Sequence, residues 1–289
     1  MAAQGHADRF ADRLNAYTWS NSSNLWGLIA YGDQSADGDG NGPGFDANGV
    51  EFQMGFNTSL GHDTRLGLSV GYNNGDVSVD DRLTSGHVDT WSVGAQLRHD
   101  FGQIYVSGQL TYSWHSIDSA RPLLQGGVAN ANYDAKTWTA SGEIGWVIQS
   151  GQLSIEPHLS VRHASTSTDP YSETGPVGVL NVAAADYDTT RLGIGLRLAN
   201  RTPAAPVRFH ALVRYERETG DEQAVLDNAL PGLPTFRVVG TRLGDDILSG
   251  EVGAEFRVSS GLSLFMAGGG HTRSNETSLQ ANAGLRIVF

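Results

Sequence analysis

The strongest constraint in this sequence is an alternation of side chains with period two that recurs along most of the chain. Successive side chains of an extended strand point to opposite faces, so an alternating run records what each face meets. Leu66, Leu68, Val70 and Tyr72 alternate with Gly67, Ser69 and Gly71, and Trp91, Val93, Ala95 and Leu97 with Ser92, Gly94, Gln96 and Arg98. Ile104, Val106, Leu110, Tyr112 and Trp114 oppose Ser107, Gln109, Thr111 and Ser113. Further on the second face becomes charged. Trp138, Ala140, Ile144, Trp146 and Ile148 oppose Thr139, Ser141 and Glu143, while Ile155, Leu159 and Val161 oppose Glu156, His158, Ser160 and Arg162. Leu192, Ile194, Leu196 and Leu198 oppose Arg191 and Arg197, and Val207, Phe209, Ala211, Val213 and Tyr215 oppose Arg208, His210, Arg214 and Glu216. Leu248, Val252, Ala254, Phe256 and Val258 oppose Ser249, Glu251, Glu255 and Arg257, and Leu279 to Phe289 alternates with Gln280, Asn282 and Arg286. Residues 50–57 and 261–272 read as weaker strands, and 25–31 is apolar in both phases.

These runs number about twelve, an even count within the range of bacterial outer-membrane barrels. Their connections alternate in length. Short links fall at 61–64, 100–103, 149–152, 200–206 and 259–261, and long polar links at 34–47, 74–87, 116–134, 165–186 and 217–246; the short 272–276 breaks the long series. Tight turns on one side and long loops on the other fit periplasmic and external ends of a membrane barrel. A soluble barrel would need the charged face inside a dry core, at several kcal/mol per unpaired ion. The expected fold is therefore an all-β, 12-stranded antiparallel transmembrane barrel, with its apolar face on outer-membrane lipid and its charged face around water. Tyr72, Trp91, Tyr112, Trp114, Trp138, Trp146 and Tyr215 sit near strand ends on the apolar face, where interfacial girdles form.

Composition narrows the partners. The 289 residues carry 19 Lys and Arg against 31 Asp and Glu, a net charge of −12, so a nucleic acid is not an expected partner. Without cysteine there is no disulfide, zinc–thiolate site or cysteine nucleophile. No window approaches the roughly 18–20 apolar residues of a spanning helix, and the start lacks a secretory signal pattern.

Before the first strand, residues 4–19 carry Phe10, Leu14 and Tyr17 at helical spacing, with Asp8, Arg9, Asp12 and Arg13 around that stripe. A frayed or cloned end is the plain reading. The sharper one divides the chain into a linker helix, 1–23, inside the pore and a barrel, 24–289. A helix is about 10 Å across, and the lumen of a twelve-stranded barrel can hold it. Its charges would then meet the inward-facing set Glu51, Arg98, Glu143, Glu156, Arg162, Arg191, Arg197, Arg208, Arg214, Glu251, Glu255, Arg257 and Arg286.

A linker helix, a twelve-strand pattern and a terminal Phe289 together resemble the translocator (β) domain of autotransporters, the type V secretion proteins of Gram-negative bacteria. Trp26-Gly27 with Tyr31-Gly32, Arg65-Leu66-Gly67 and the ending Leu285-Arg286-Ile287-Val288-Phe289 carry the likeness over essentially the whole chain. Tyr171-Ser172-Glu173, Tyr187-Asp188 before Arg191-Leu192-Gly193, Glu216-Arg217-Glu218 with Asp221, and Leu230-Pro231-Gly232 with Phe236 resemble the lipase/esterase subgroup, whose passengers are Gly-Asp-Ser-Leu hydrolases. The resemblance implies a monomeric outer-membrane anchor and export path for an N-terminal passenger. It also implies Phe289 as a signal to the barrel-assembly machinery, and no catalytic, cofactor or metal site in the barrel. Some relatives cleave themselves at an asparagine pair within the helix; residues 4–19 hold only Asn15, so autocleavage is not expected.

Two motifs are set aside. Gly67-Leu68-Ser69-Val70-Gly71 matches a nucleophile elbow in letters, but an elbow needs a strand-to-helix turn. Asp37-Gly38-Asp39-Gly40-Asn41-Gly42 opens like a calcium loop, yet its twelfth position is Asn48. His158 and His210 read as lumen hydrogen-bonding groups. A barrel phospholipase with a Ser–His pair at its lipid-facing edge, and a small-solute channel, are the alternative functions.

Overall fold

The computed structural model describes residues 7, 9–10, 23–80, 82–200 and 205–289. Its strands in chain order are β1 (Asn24–Ala36), β2 (Phe45–Ser59), β3 (Thr64–Val79), β4 (Thr84–Phe101), β5 (Ile104–Pro122), β6 (Val128–Trp146), β7 (Ile148–Ser150), β8 (Leu153–Thr168), β9 (Tyr171–Ser172), β10 (Asn181–Val182), β11 (Ala185–Asn200), β12 (Val207–Gly220), β13 (Val225–Ala229), β14 (Thr235–Val239), β15 (Asp246–Arg257), β16 (Leu262–Arg273) and β17 (Glu276–Val288). Twelve of these form a closed antiparallel barrel in chain order, with β1 paired to both β2 and β17. β7 is a short continuation of β6 beyond Val147 that pairs with β8. β14, β13, β10 and β9 make a second sheet from the two longest connections.

Closure follows from the solvent. Backbone N–H and C=O groups facing hydrocarbon have no water to bond, so only a sheet without edges can cross. The alternating side chains then sort themselves. Leu68, Val93, Leu110, Leu192, Val213 and Leu285 are exposed on the outside, while Ser92, Gln96, Ser107, Thr111, Glu156 and Arg197 are buried inside. β5 shows the height of the band: Ile104 to Trp114 is apolar on its outer face, whereas Ser116 and Asp118 beyond are polar. A spanning strand needs about 9–11 residues, and β5 has 19, so its remainder stands clear of the membrane.

The barrel sheet begins and ends at one end, where Asn24 of β1 meets Val288 of β17. The links at 60–63, 102–103, 151–152 and 258–261 share that end, while the tight 274–275 link of the last hairpin lies at the other. In the two-residue link between Phe101 and Ile104, Gly102 has φ 68°, a left-handed conformation that favours glycine.

The structure corrects two sequence expectations. Residues 74–87 and 116–134 are not loops but mostly strand, leaving links at 80–83 and 123–127. Their polar side chains alternate and their backbones stay paired, as with Asn74 opposite Asp89 and Asp118 opposite Asn132. The link at 200–206 falls partly outside the described residues. The double phase of 25–31 also resolves: Leu25, Ile29 and Tyr31 face outward, while Trp26, Leu28 and Ala30 are buried inside. β1 is apolar on both faces because its inner face packs against Phe10 of the leading segment.

An arginine on the lipid face tests this sidedness. Val93→Arg is expected to destabilise the barrel by about 2–4 kcal/mol near the bilayer midplane, read as a lower denaturant midpoint in lipid vesicles.

Candidate functional site

The lumen is the site, and its wall is divided. β4, β5 and β6 offer small neutral groups, among them Ser92, Gln96, Gln109, Thr111, Thr137 and Thr139, all buried. The strands from β8 to β17 carry most of the charge. The candidate residues fall into three burial classes. Glu51, Arg98, Glu156, Arg197 and Glu255 are almost wholly buried, and Arg191, Glu251 and Arg286 are buried to a lesser degree. Glu143, Arg162, Arg208 and Arg214 are half-buried, and Arg257 is exposed at the rim near the termini.

Their partners form several groups. Near the terminal end, the Arg98 guanidinium lies 3.7 Å from the Tyr105 ring centroid. Tyr105 donates to Glu143 Oε1 at 2.5 Å, and Arg197 Nη1 donates to Tyr105 Oη at 3.1 Å and Glu143 Oε1 at 3.2 Å. Glu156 lies 3.8 Å from Arg197 and accepts from Ser154. Arg98 and Arg65 share Asp100. On the opposite side Glu255 takes both Arg208 and Arg286, and His210 Nε2 lies 2.8 Å from Glu251. Nearer the outer mouth, Arg191 and Arg273 flank Glu218, and Arg273, His271 and Gln34 converge on Glu276. This mouth opens into a cavity of about 530 Å³ that also includes Arg9 and Glu51.

Tyr105, Glu218, Arg273 and Glu276 were not among the sequence candidates. Glu218 and Glu276 fall in stretches read as links, although the alternation simply continues through them, as from Glu216 to Glu218. Tyr105 shows no charge, and its role depends on Arg197 reaching across from β11.

From the leading segment, Ala7, Arg9 and Phe10 have helical backbone and are buried within the barrel. Arg9 pairs with Glu51 and donates to Gln280 Oε1 at 2.9 Å, and Ala7 O accepts from Gln109 Nε2 at 2.8 Å. The other candidates with partners named above pair along or across the wall. Asp8, Asp12, Arg13 and Asn15, and the full extent of a helix over 4–19, lie outside the described residues. The Phe10 ring is fully buried with Trp26, Leu28, Ala30 and Phe265. Burying such a ring contributes about 1.5–3 kcal/mol, whereas a buried ion pair gains little net of its desolvation.

Outside the membrane, the hydrogen bond that His87 Nδ1 donates to the Asp76 carboxylate raises the pKa of His87 above the ordinary imidazole value. Asp39 holds the connection 37–44 to 240–242: the backbone amides of Gly42, Arg242 and Asn41 lower its pKa to about 2. Among the described residues, no three His, Asp or Glu converge as a metal site. Ser69 faces the lumen in mid-strand. His163, beside Trp138, shares a hydrogen bond of 2.9 Å with Thr190 on the lipid-facing side. The residues behind the esterase likeness gather at the outer end, where Tyr171 stacks on Tyr133 at 3.9 Å and Glu173 pairs with Arg121. At the other end Phe289 stacks on Phe56 at 6.4 Å, and its N–H donates to Ser23 O.

A closed barrel with a greasy outside, a charged inside and part of its own leading segment lodged in the lumen defines a bacterial outer-membrane pore protein. The chain belongs to the autotransporter family: the Autotransporter beta-domain description matches residues 25–269. Two curated sequences named "Extracellular serine protease" from Serratia marcescens are each 23% identical over 94% of this chain, which spans about a quarter (26%) of their length. Among solved structures, the translocator domain of NalP from Neisseria meningitidis superposes with a TM-score of 0.82 at 16% identity, covering 100% of this chain and 98% of that one. The beta domain of BrkA from Bordetella gives 0.67 at 16% identity, covering 93% and 100%. The chain is thus an outer-membrane translocator of a Gram-negative bacterium that secretes a passenger, in a family whose barrel is not itself the catalyst.

Two outcomes are expected. Removing one partner of a buried pair leaves the other charge uncompensated, so Glu51→Ala should expose the leading segment to protease more than the double variant Arg9→Ala/Glu51→Ala does. His87, raised by Asp76, favours the folded state fully below the ordinary imidazole pKa and loses that contribution as pH rises through the raised value. Protection from hydrogen exchange in the outer β3–β4 hairpin, relative to the intrinsic rate at each pH, should therefore fall across that window, and His87→Gln should flatten the response.

Proposed function

We propose that residues 1–23 thread the lumen as the link between the barrel and a passenger carried upstream, and that this link anchors the exported passenger at the cell surface. The burial of Arg9 and Phe10 inside the barrel, with Arg9 held by Glu51, carries this reading. The thirteen inward candidates then serve as a hydrated, charge-paired lining that holds the link, Glu51 by direct contact and the others by shaping the wall. A paired lining suits a path for polypeptide, because it offers no large apolar surface to a chain in transit.

We assign the passenger to the extracellular hydrolases. The Serratia relatives are extracellular serine proteases by name, and the outer-loop residues Tyr171, Ser172 and Glu173 favour the esterase subgroup. The ending Leu285-Arg286-Ile287-Val288-Phe289, with Phe289 at the terminal rim, fits the assembly signal read by the barrel-assembly machinery. One barrel encloses one link, so the working unit is a monomer.

In planar bilayers, deletion of residues 1–20 should raise single-channel conductance markedly; an unchanged value argues against a threaded link. A porin-like channel would instead conduct well with the segment in place, and lipid hydrolysis by the purified chain would point to a barrel enzyme. Esterase activity at the surface of cells carrying the whole gene, lost when the upstream region is removed, tests the passenger assignment.

A further inference from the structure

Ion pairs are the expected hold on a threaded link, yet the leading segment also makes a close apolar fit in the lumen. We propose, resting on the threaded-link reading, that Phe10 is the positioning residue that arrests the link at one depth and keeps the lumen shut, by seating its ring in a slot formed by Trp26, Gly67 and Gly94.

The slot is built by subtraction. On the inner face of β3 and β4, Gly67 and Gly94 present no side chain where Phe10 lies. A Cβ added at Gly94 would sit 2.9 Å from the ring, and one at Gly67 would sit 3.3 Å from it, both closer than ordinary carbon contacts. Neither glycine has an unusual φ, so the demand is for space rather than for backbone freedom. Trp26 closes one side, its ring centroid 6.3 Å from that of Phe10 and tilted by 32°. Trp26 can lie there because it crosses Gly55 on β2, another residue without a side chain. Leu28, Ala30 and Phe265 complete the apolar patch.

Around this patch the wall is polar: Asn57, Ser69, Ser92 and Gln96 are buried neighbours on β2, β3 and β4. A planar apolar ring therefore has a fitted place to rest between the two glycines and Trp26. A charged side chain drawn into the same place would give up its water for no more than the Asn57 and Ser69 oxygens at the edge of the glycine floor, so the slot favours the Phe10 ring over the charged side chains of a passing chain. One helical turn is about 5.4 Å, so a shift of one turn in either direction takes position 10 off the slot and returns the glycine floor to water. Arg9, bonded to Glu51 on β2 and Gln280 on β17, fixes the rotation of the segment, while the ring fixes its depth.

The test uses the purified full chain in planar bilayers, with the shift in gel mobility on heating as the check that the barrel is folded. Phe10→Ala removes the ring without touching the wall and should lower residence of the segment in the lumen by about a hundredfold, seen as frequent openings with the conductance of the chain lacking residues 1–20. Phe10→Leu keeps apolar volume and should restore most of the closure. Gly94→Leu attacks the slot from the wall and should open the lumen too, and Phe10→Ala combined with Gly94→Leu should close it again, because the new side chain fills the space the ring has left. If Gly94→Leu does not fold, the Phe10 variants decide alone. A Phe10→Ala protein as quiet as the parent, while deletion of residues 1–20 still conducts, overturns the latch and leaves the threaded link standing. A deletion that conducts no better than the parent overturns the threaded link and the latch together.

Discussion

Backbone pairing between the first and last strands is the interaction on which everything else rests. β1 and β17 pair from Asn24 opposite Val288 to Ala36 opposite Glu276, and this removes the two edges that a bilayer would not tolerate. Once the sheet is closed, each strand has one face on lipid and one on the lumen, and the sequence alternation has only one low-energy phase. A slip of one residue would send every Arg and Glu of a strand into hydrocarbon. The same closure puts the start of the first strand and the end of the last at one end and leaves the longest connections, with their four-stranded outer sheet, at the other.

The lumen then has to manage charge in a confined space, and it does so by networks rather than by isolated pairs. Glu255 serves two arginines, Glu218 serves two, and Glu143 takes both Tyr105 and Arg197. The cations in these networks are predominantly arginines, whose planar fork can engage two acceptors at once and remains charged. Aromatic rings use the same economy of space: Tyr105 lies over Gly145 and Phe265 over Gly284, each on the neighbouring strand, so a large inward ring is accommodated by an absent side chain opposite. Glycine abundance in this chain is therefore a packing device of the barrel wall as much as a turn signal.

How far the sequence could be read follows from what alternation encodes. β3, β4, β5, β11 and β12 were legible because lipid and lumen impose opposite chemistries on their faces. β1 was not, because Trp26 and Leu28 face a small apolar patch inside the lumen and so mimic the outer face. The outer parts of the hairpins β3–β4 and β5–β6 read as loops because beyond the membrane polar side chains occupy the outer face while the apolar ones, such as Val77, Val88, Ile117 and Ala131, turn inward, so the apolar-outside alternation changes phase. The charged inward residues were visible as a set. Their partners were not: that Arg197 reaches Tyr105 across the inside of β6 and β8 depends on curvature, which no local pattern records. Gly67 and Gly94 stood in plain view as small inward residues, but their meaning appears only when the Phe10 ring is seen against them.

Export and retention make opposite demands on one surface, and the division of the wall answers both. A polypeptide in transit needs a lining it can wet and leave, which short hydroxyl and amide side chains on β4, β5 and β6 provide. A segment that is to stay needs a contact the rest of the chain cannot make. Adding charge would not supply it, since any passing Lys or Asp finds some partner in a lumen already full of ions, and the net gain of a buried pair is small. An apolar recess discriminates better, because a charged side chain that enters it is penalised while the ring fits. Specific arrest in a polar pore is thus more economically written with two glycines and a tryptophan than with another salt bridge, and the inner face of β1, the strand that directly follows the leading segment, carries that tryptophan two residues from its start.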